Sequence, residues 1–148
     1  MNGENMTVNW GIIGAGKIAH RFAASLANEK DSELIAIANR TQEKADAFAK
    51  EYNVPRAYEG FQKIIEDSDV NAVYIAVPHR YHKEWALKAL QAGKAVLSEK
   101  PASLNQKEMK EIRDCAFKNH VLYMEGMKTR FEPLYIEIRK IIREGRIG

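Results

Sequence analysis

The strongest constraint on this chain is an alternation. Short, mostly apolar runs at residues 8–13, 33–38, 72–77, 95–98 and 121–124 are separated by segments whose apolar residues recur every three or four positions. A run such as Leu34-Ile35-Ala36-Ile37-Ala38 is too short for a helix and suits a strand buried on both faces of a parallel sheet. Between the runs, Ile18, Ala19, Phe22, Ala23 and Leu26 fall on one helical face, as do Ala45, Phe48, Ala49 and Tyr52, and then Trp85, Ala86, Ala89 and Leu90. Longer helices are predicted over residues 105–118 and 133–144. A short extended piece at residues 56–58 and a brief helix around Phe61, Ile64 and Ile65 close the first half of a doubly wound sheet. The expected class is therefore α/β, a mainly parallel sheet of about six strands with helices on both faces. Thr41 is the expected N-cap of the second helix, Val54-Pro55 its stop, and Gly93 the C-terminal cap of the helix that carries Trp85.

A chain of 148 residues fits one domain and buries roughly two-thirds of its unfolded surface, so it needs neither metal nor disulfide to fold. Its net charge of +3 comes from 23 basic and 20 acidic residues interspersed along the chain. Without a basic stripe, the composition argues against a nucleic-acid partner. Cys115, the single cysteine, lies inside a predicted amphipathic helix, reads as a small buried apolar residue and fits a reducing compartment. Residues 1–7 carry no secretory leader, and no run approaches the roughly eighteen apolar residues of a membrane span. The expectation is a cytoplasmic protein with no membrane partner. Trp10, Phe22 and Phe48 sit within apolar patterns and read as core.

Between the first strand and the first helix stands Gly14-Ala15-Gly16-Lys17-Ile18-Ala19. In a nucleotide-binding βαβ unit Gly14 would permit the turn, Gly16 would let backbone approach a pyrophosphate, and Ala19 would let helix and strand pack closely. The phosphates would sit on the amides of the helix N-terminus, where the macrodipole favours negative charge. A turn serving only packing is the rival reading.

The end of the second strand discriminates between cofactors. An acid there would accept hydrogen bonds from both ribose hydroxyls, but Asn39 and Arg40 occupy it. A 2′-phosphate would meet the Arg40 guanidinium and the Thr41 hydroxyl, which favours NADP, with NAD the alternative. Arg40 as a solvated surface arginine is the bland reading.

Three further strand ends carry candidates. Pro78-His79-Arg80-Tyr81-His82 follows the 72–77 run, and no third ligand accompanies its two histidines at a strong metal spacing, so no metal is expected. His82 reads as a helix-start residue lining a cofactor cleft or as a capping residue. Glu99-Lys100-Pro101 follows the next strand, where a residue before proline is biased to extended geometry. Lys100 is then a solvated lysine, a partner of Glu99, or a cleft ammonium that hydrogen-bonds a substrate oxygen and exchanges a proton with it. Arg130, after the last strand, either reaches a ligand or pairs with Glu125.

Taken in order, these residues resemble the glucose-fructose oxidoreductase, inositol dehydrogenase and rhizopine-catabolism (Gfo/Idh/MocA) family. The resemblance covers essentially the whole chain. It rests on the glycine turn, Asn39-Arg40, residues 72–78 with His82, Gly93-Lys94-Ala95-Val96-Leu97-Ser98-Glu99-Lys100-Pro101, Arg130-Phe131-Glu132-Pro133 and the closing Gly145-Arg146-Ile147-Gly148. Within the family the chain looks most similar to dihydrodiol dehydrogenase-like members, although Lys128 stands where many of those place tryptophan.

The resemblance implies a Rossmann-type cofactor domain of an NAD(P)-dependent oxidoreductase acting on a sugar, polyol or related hydroxy compound. Lys100 would be the catalytic lysine. Candidate cofactor contacts are Gly14, Ala15, Gly16, Lys17 and Ile18 at the turn, then Asn39, Arg40 and Thr41, and finally Pro78, His82, Glu99 and Arg130. The family's second catalytic group, its substrate pocket and often its oligomer interface come from a following domain. By that resemblance residues 1–148 are the dinucleotide-binding half, binding cofactor with little turnover alone, and homo-oligomerisation would run through the other half. A stand-alone dinucleotide-binding or redox-sensing module is the alternative, though a sensor needs no lysine at Lys100. An S-adenosylmethionine site fits poorly, because no acid ends the second strand.

Overall fold

The computed structural model describes residues 7–147; Met1–Met6 and Gly148, with the leader reading and the last residue of the closing motif, lie outside the described residues. Six parallel strands form one sheet in the order β3-β2-β1-β4-β5-β6. They are β1 (Val8–Ile13), β2 (Ser32–Asn39), β3 (Arg56–Glu59), β4 (Ala72–Ile75), β5 (Ala95–Ser98) and β6 (Tyr123–Glu125). The helices are α1 (Lys17–Leu26), α2 (Gln42–Tyr52), α3 (Gln62–Glu66), α4 (His82–Gln91), α5 (Gln106–Lys118) and α6 (Pro133–Arg143).

Two cores arise from the pleat of β1, whose successive residues point to opposite faces. Ile12 joins Ala19, Ala23, Ile37, Phe48 and Tyr74 under α1 and α2, with Trp10 and Phe22 packed against them. Ile13 joins Ile64, Val73, Ile75, Ala86, Leu90 and Ile112 under α3, α4 and α5. Strand order runs outward from β1 through β2 to β3 and, on the other side, from β4 to β6. The reversal between β1 and β4 opens a crevice at the carboxyl edge, the ligand position of open α/β sheets.

Three expectations on boundaries are corrected. β4 ends at Ile75, two residues before the apolar run does. Ala76 still donates its amide to Ile13 O at 2.9 Å, but its carbonyl bends over the Gly14 turn, so the ladder with β5 stops. β6 begins at Tyr123, because the left-handed His120 (φ 54°) and the bond from Val121 N to Ala116 O close α5 and consume the start of that run. α2 stops at Asn53, left-handed at φ 54°, and not at Val54-Pro55. Thr41 holds the N-cap position of α2 without a side-chain capping bond. At α5, by contrast, Asn105 Oδ1 accepts from the Glu108 amide at 3.0 Å while the Glu108 carboxylate accepts from Leu104 N at 2.9 Å.

Gly93 closes α4 in the left-handed region at φ 75°. Cys115 is half-buried within α5. Among the described residues no helix is long and apolar enough to cross a membrane.

Candidate functional site

The glycine turn forms the floor of the crevice. Gly14 sits at φ 99°, and a Cβ there would lie 2.6 Å from Ala76 O, so both conformation and space demand glycine. Its amide donates to Ala38 O at 2.9 Å, which fixes the turn against β2. Gly16 is different: the nearest atom to a Cβ is Ala76 O at 4.0 Å, so glycine leaves open space above the backbone. Gly16 is also the N-cap of α1, with no side-chain cap, and the first-turn amides through Lys17 and Ile18 are free donors. Ala19 is fully buried against the sheet, as close packing of α1 requires. Ala15 is half-buried and Gly16, Lys17 and Ile18 are exposed. A cradle that a Cβ would fill, lined by free amides at the positive end of a helix, fits a pyrophosphate.

At the end of β2, Asn39 is half-buried and its carbonyl accepts from Gly60 N at 2.8 Å. Arg40 and Thr41 are exposed, and Arg40 forms no ion pair with any described residue. A guanidinium and a hydroxyl are therefore both available to an anion at this corner.

The strand ends on the other side of the switch point converge on the loop 99–102. Tyr74 on β4 donates its hydroxyl to Glu99 Oε1 at 2.6 Å. Burial first, and then the Glu99 carboxylate, push the Tyr74 phenol far above its ordinary range, so it stays a donor. Glu99 Oε2 accepts from the Lys100 amide at 3.3 Å. The Ala102 amide donates to Glu125 Oε1 at 2.8 Å, and Gly126 N donates to Ser98 O at 2.7 Å. Lys100 itself is exposed, its peptide bond to Pro101 is cis, and its ammonium pairs with no described carboxylate. The sequence option of a Lys100–Glu99 pair is thus not the arrangement adopted, because Tyr74 holds that carboxylate.

His82 departs from the expectation that it lines the cleft. It is fully buried at the start of α4, with Nδ1 2.8 Å from Pro101 O and Nε2 2.8 Å from Val77 O. Both ring nitrogens are spent on carbonyls, so the imidazole stands behind the crevice and ties the Lys100 loop to the exit of β4. His79 lies beside it with ring centroids 5.5 Å apart, but His82 has no nitrogen left to offer a metal. Pro78 is exposed at the strand exit.

Arg130 lies in the 3-10 turn Lys128–Phe131 beyond the edge strand β6. It forms no ion pair with Glu125, whose Oε1 is held by Ala102 N. It lines a cavity of about 390 Å3 with Met127, Phe131 and Arg139, three strands from the glycine turn in sheet order. A cavity of about 650 Å3 under Met109, Phe117 and Leu122 lies on the α5 side and belongs to neither cluster. Sequence reasoning missed Tyr74 and offered Glu125 only as a partner for Arg130, where it in fact holds the Ala102 amide. The available signal was a phenol inside the buried run Ala72-Val73-Tyr74-Ile75, since a buried tyrosine hydroxyl has to find a partner.

Residues 8–127 match the family described as "Oxidoreductase family, NAD-binding Rossmann fold", Gfo/Idh/MocA. The chain is 37% identical over 145 residues to the trans-1,2-dihydrobenzene-1,2-diol dehydrogenase of Xenopus tropicalis and 38% to that of Mus musculus, in each case over 97% of this chain and 44% of the relative. It therefore spans less than half the length of these curated relatives. Among solved structures, KijD10, a 3-ketoreductase from Actinomadura kijaniata in complex with NADP and TDP-benzene, superposes with a TM-score of 0.89 at 32% identity, over 96% of this chain and 44% of that one. The apo scyllo-inositol dehydrogenase of Lactobacillus casei superposes with a TM-score of 0.89 at 27% identity, over 97% and 44%.

Proposed function

The chain belongs to the Gfo/Idh/MocA oxidoreductase family, and from that premise we propose that it is the cofactor-holding half of an NADP-preferring dehydrogenase or ketoreductase acting on a sugar, polyol or diol. The observation that carries this reading is Lys100, an ammonium paired with no described carboxylate on a fastened loop, at the same sheet edge as the Gly14–Gly16 cradle. A redox sensor would need the cradle but not this lysine.

In this reading the amides from Ala15 to Ile18 seat the pyrophosphate, and Asn39, Arg40 and Thr41 hold the adenosine ribose with its 2′-phosphate. Pro78 and Glu99 border the nicotinamide end, Arg130 stands further along the edge, and His82 acts from behind. The nicotinamide, when bound, supplies hydride exchange with a carbinol carbon. Lys100 donates a hydrogen bond to the oxygen on that carbon and, for alcohol oxidation, takes part in removing its proton. The substrate-shaping half and any homo-oligomer contact are assigned to a domain following this one. Its natural place is against α6, whose Leu134, Ile136 and Ile142 are exposed.

Fluorescence titration tests the cofactor assignment. NADPH is expected to bind more tightly than NADH, and Arg40→Ala is expected to weaken NADPH about tenfold or more while leaving NADH within about twofold. Equal affinities in the parent chain would end the role given to Arg40. A substrate screen on the two-domain protein, begun with trans-1,2-dihydrobenzene-1,2-diol and then sugars and polyols, tests the activity. There Lys100→Met is expected to cut turnover by about a hundredfold or more with cofactor affinity kept.

A further inference from the structure

The loop that carries Lys100 is fastened at each neighbouring residue and free only at the lysine side chain. Pro101 O is held by His82, Ala102 N by Glu125, and the Glu99 carboxylate by Tyr74. The last of these contacts is the one with a chemical consequence. Glu99 is the acid adjacent to Lys100, and the Lys100 ammonium pairs with no described carboxylate.

Tyr74 is 3% exposed, and its ring stacks on Phe22 of α1 with centroids 4.0 Å apart and planes inclined by 16°. Phenylalanine would fill the same place, so packing does not account for the hydroxyl. Its one side-chain partner among the described residues is Glu99 Oε1, at a distance typical of a charge-assisted bond. Deleting it would leave a half-buried carboxylate short of a donor and one residue from a free ammonium, and the two would pair.

We propose that Tyr74 is a positioning residue: its hydroxyl keeps Glu99 off the Lys100 ammonium, so that Lys100 remains available to the reacting oxygen. The role rests on the catalytic reading of Lys100 given above. It also links the glycine-turn helix to the lysine loop through Phe22, Tyr74 and Glu99.

The test is Tyr74→Phe, read in two ways. Crystal structures of the chain with NADP are expected to show Glu99 on Tyr74 in the parent and within ion-pair distance of Lys100 Nζ in the variant. A Glu99 that stays in place in the variant overturns the proposal without reference to catalysis. In the two-domain protein, with the substrate returned by the screen, kcat is expected to fall roughly tenfold, with KM and NADP affinity changed by less than about twofold. Adding Glu99→Gln to Tyr74→Phe is expected to recover much of that loss, since an amide cannot ion-pair. A role confined to stability would lower the melting temperature and leave kcat alone, and that outcome also overturns the proposal. Should Tyr74→Phe fail to fold, Glu99→Asp shortens the side chain, draws its carboxylate away from the Tyr74 hydroxyl and is expected to lower kcat as well; full turnover in that variant overturns the proposal. Lys100→Met separates the two claims. If it keeps turnover, the reading of Lys100 falls and this role with it; if it loses turnover while Tyr74→Phe does not, only the positioning role falls.

Discussion

Gly14 and Gly16 are two residues apart and answer to different forces, which single substitutions can separate. At Gly14 an alanine meets both a positive φ of 99° and a carbonyl 2.6 Å from its Cβ. Gly14→Ala is therefore expected to cost roughly 2–4 kcal/mol, read as a lower midpoint in urea unfolding. At Gly16 the nearest atom is 4.0 Å away, so Gly16→Ala is expected to change stability by less than about 1 kcal/mol. The added methyl would instead stand where a pyrophosphate approaches, and NADPH affinity is expected to fall about tenfold or more. If Gly16→Ala bound NADPH as the parent does, the cradle would be a packing turn and no more. The glycines were legible in the sequence because their spacing is local. The partners of His82 and Tyr74 were not, since Pro101 lies 19 residues from His82 and Glu99 lies 25 from Tyr74. Only the sheet register, with Ile75 opposite Ser98, brings those side chains together.

Elements were legible wherever a periodic run ended at its own punctuation, as at β5 and α4, and shifted where a tertiary contact set the end, as at β4 and β6. The turn from α3 into β4, at the opposite edge from the glycine cradle, is held by a network that no spacing announces. Arg56 pairs with Asp67 at 2.6 Å and with Asp69 at 2.5 Å, Tyr58 donates to Asp67 Oδ2 at 3.0 Å, and the Lys94 ammonium donates to Asp67 O and Val70 O at 2.6 and 2.7 Å. Burial by itself would raise Asp67, but the hydrogen bonds from Arg56, the Asp69 amide and Tyr58 outweigh it and hold the carboxyl below the usual aspartate range. A folded-state value below the unfolded one means stability present above the unfolded pKa and lost as pH falls through the folded one. Acid unfolding is therefore expected to steepen below about pH 4, and Asp67→Asn is expected to lower the melting temperature at neutral pH while flattening that acid limb. An unchanged slope in the Asn variant would mean that Asp67 does not set the acid transition. NADPH affinity should be untouched, because this edge does not face the cradle.

At the scale of the whole molecule, one sheet carries two sets of edges with different demands. The switch point between β1 and β4 gathers the cradle and the lysine loop, and a doubly wound order with that crevice was foreseeable from the alternation of runs. The segment beyond β6 has no comparable support among the described residues. α6 buries none of its residues and meets the body of the domain mainly through the 3-10 turn Lys128–Phe131, while Leu134, Ile136 and Ile142 are each more than half exposed. An eleven-residue helix without a packed face is marginal in water, since most helical stability in proteins comes from tertiary burial. If the apolar side of α6 is the seat of a following domain, it should be the least protected helix of this chain alone. Amide hydrogen exchange is expected to show α6 exchanging near the rate of an unstructured peptide while β1 and β4 exchange only through global unfolding. In that case joining the domain proposed to follow should slow the α6 amides by about a hundredfold or more, as burial of that face would add a few kcal/mol. Adding NADP to the short chain should instead slow the amides of the Gly14–Ile18 turn and leave α6 as it was. If α6 were already as protected as β4 in the short chain, its exposed isoleucines would need no covering domain, and the seat proposed for one would be lost.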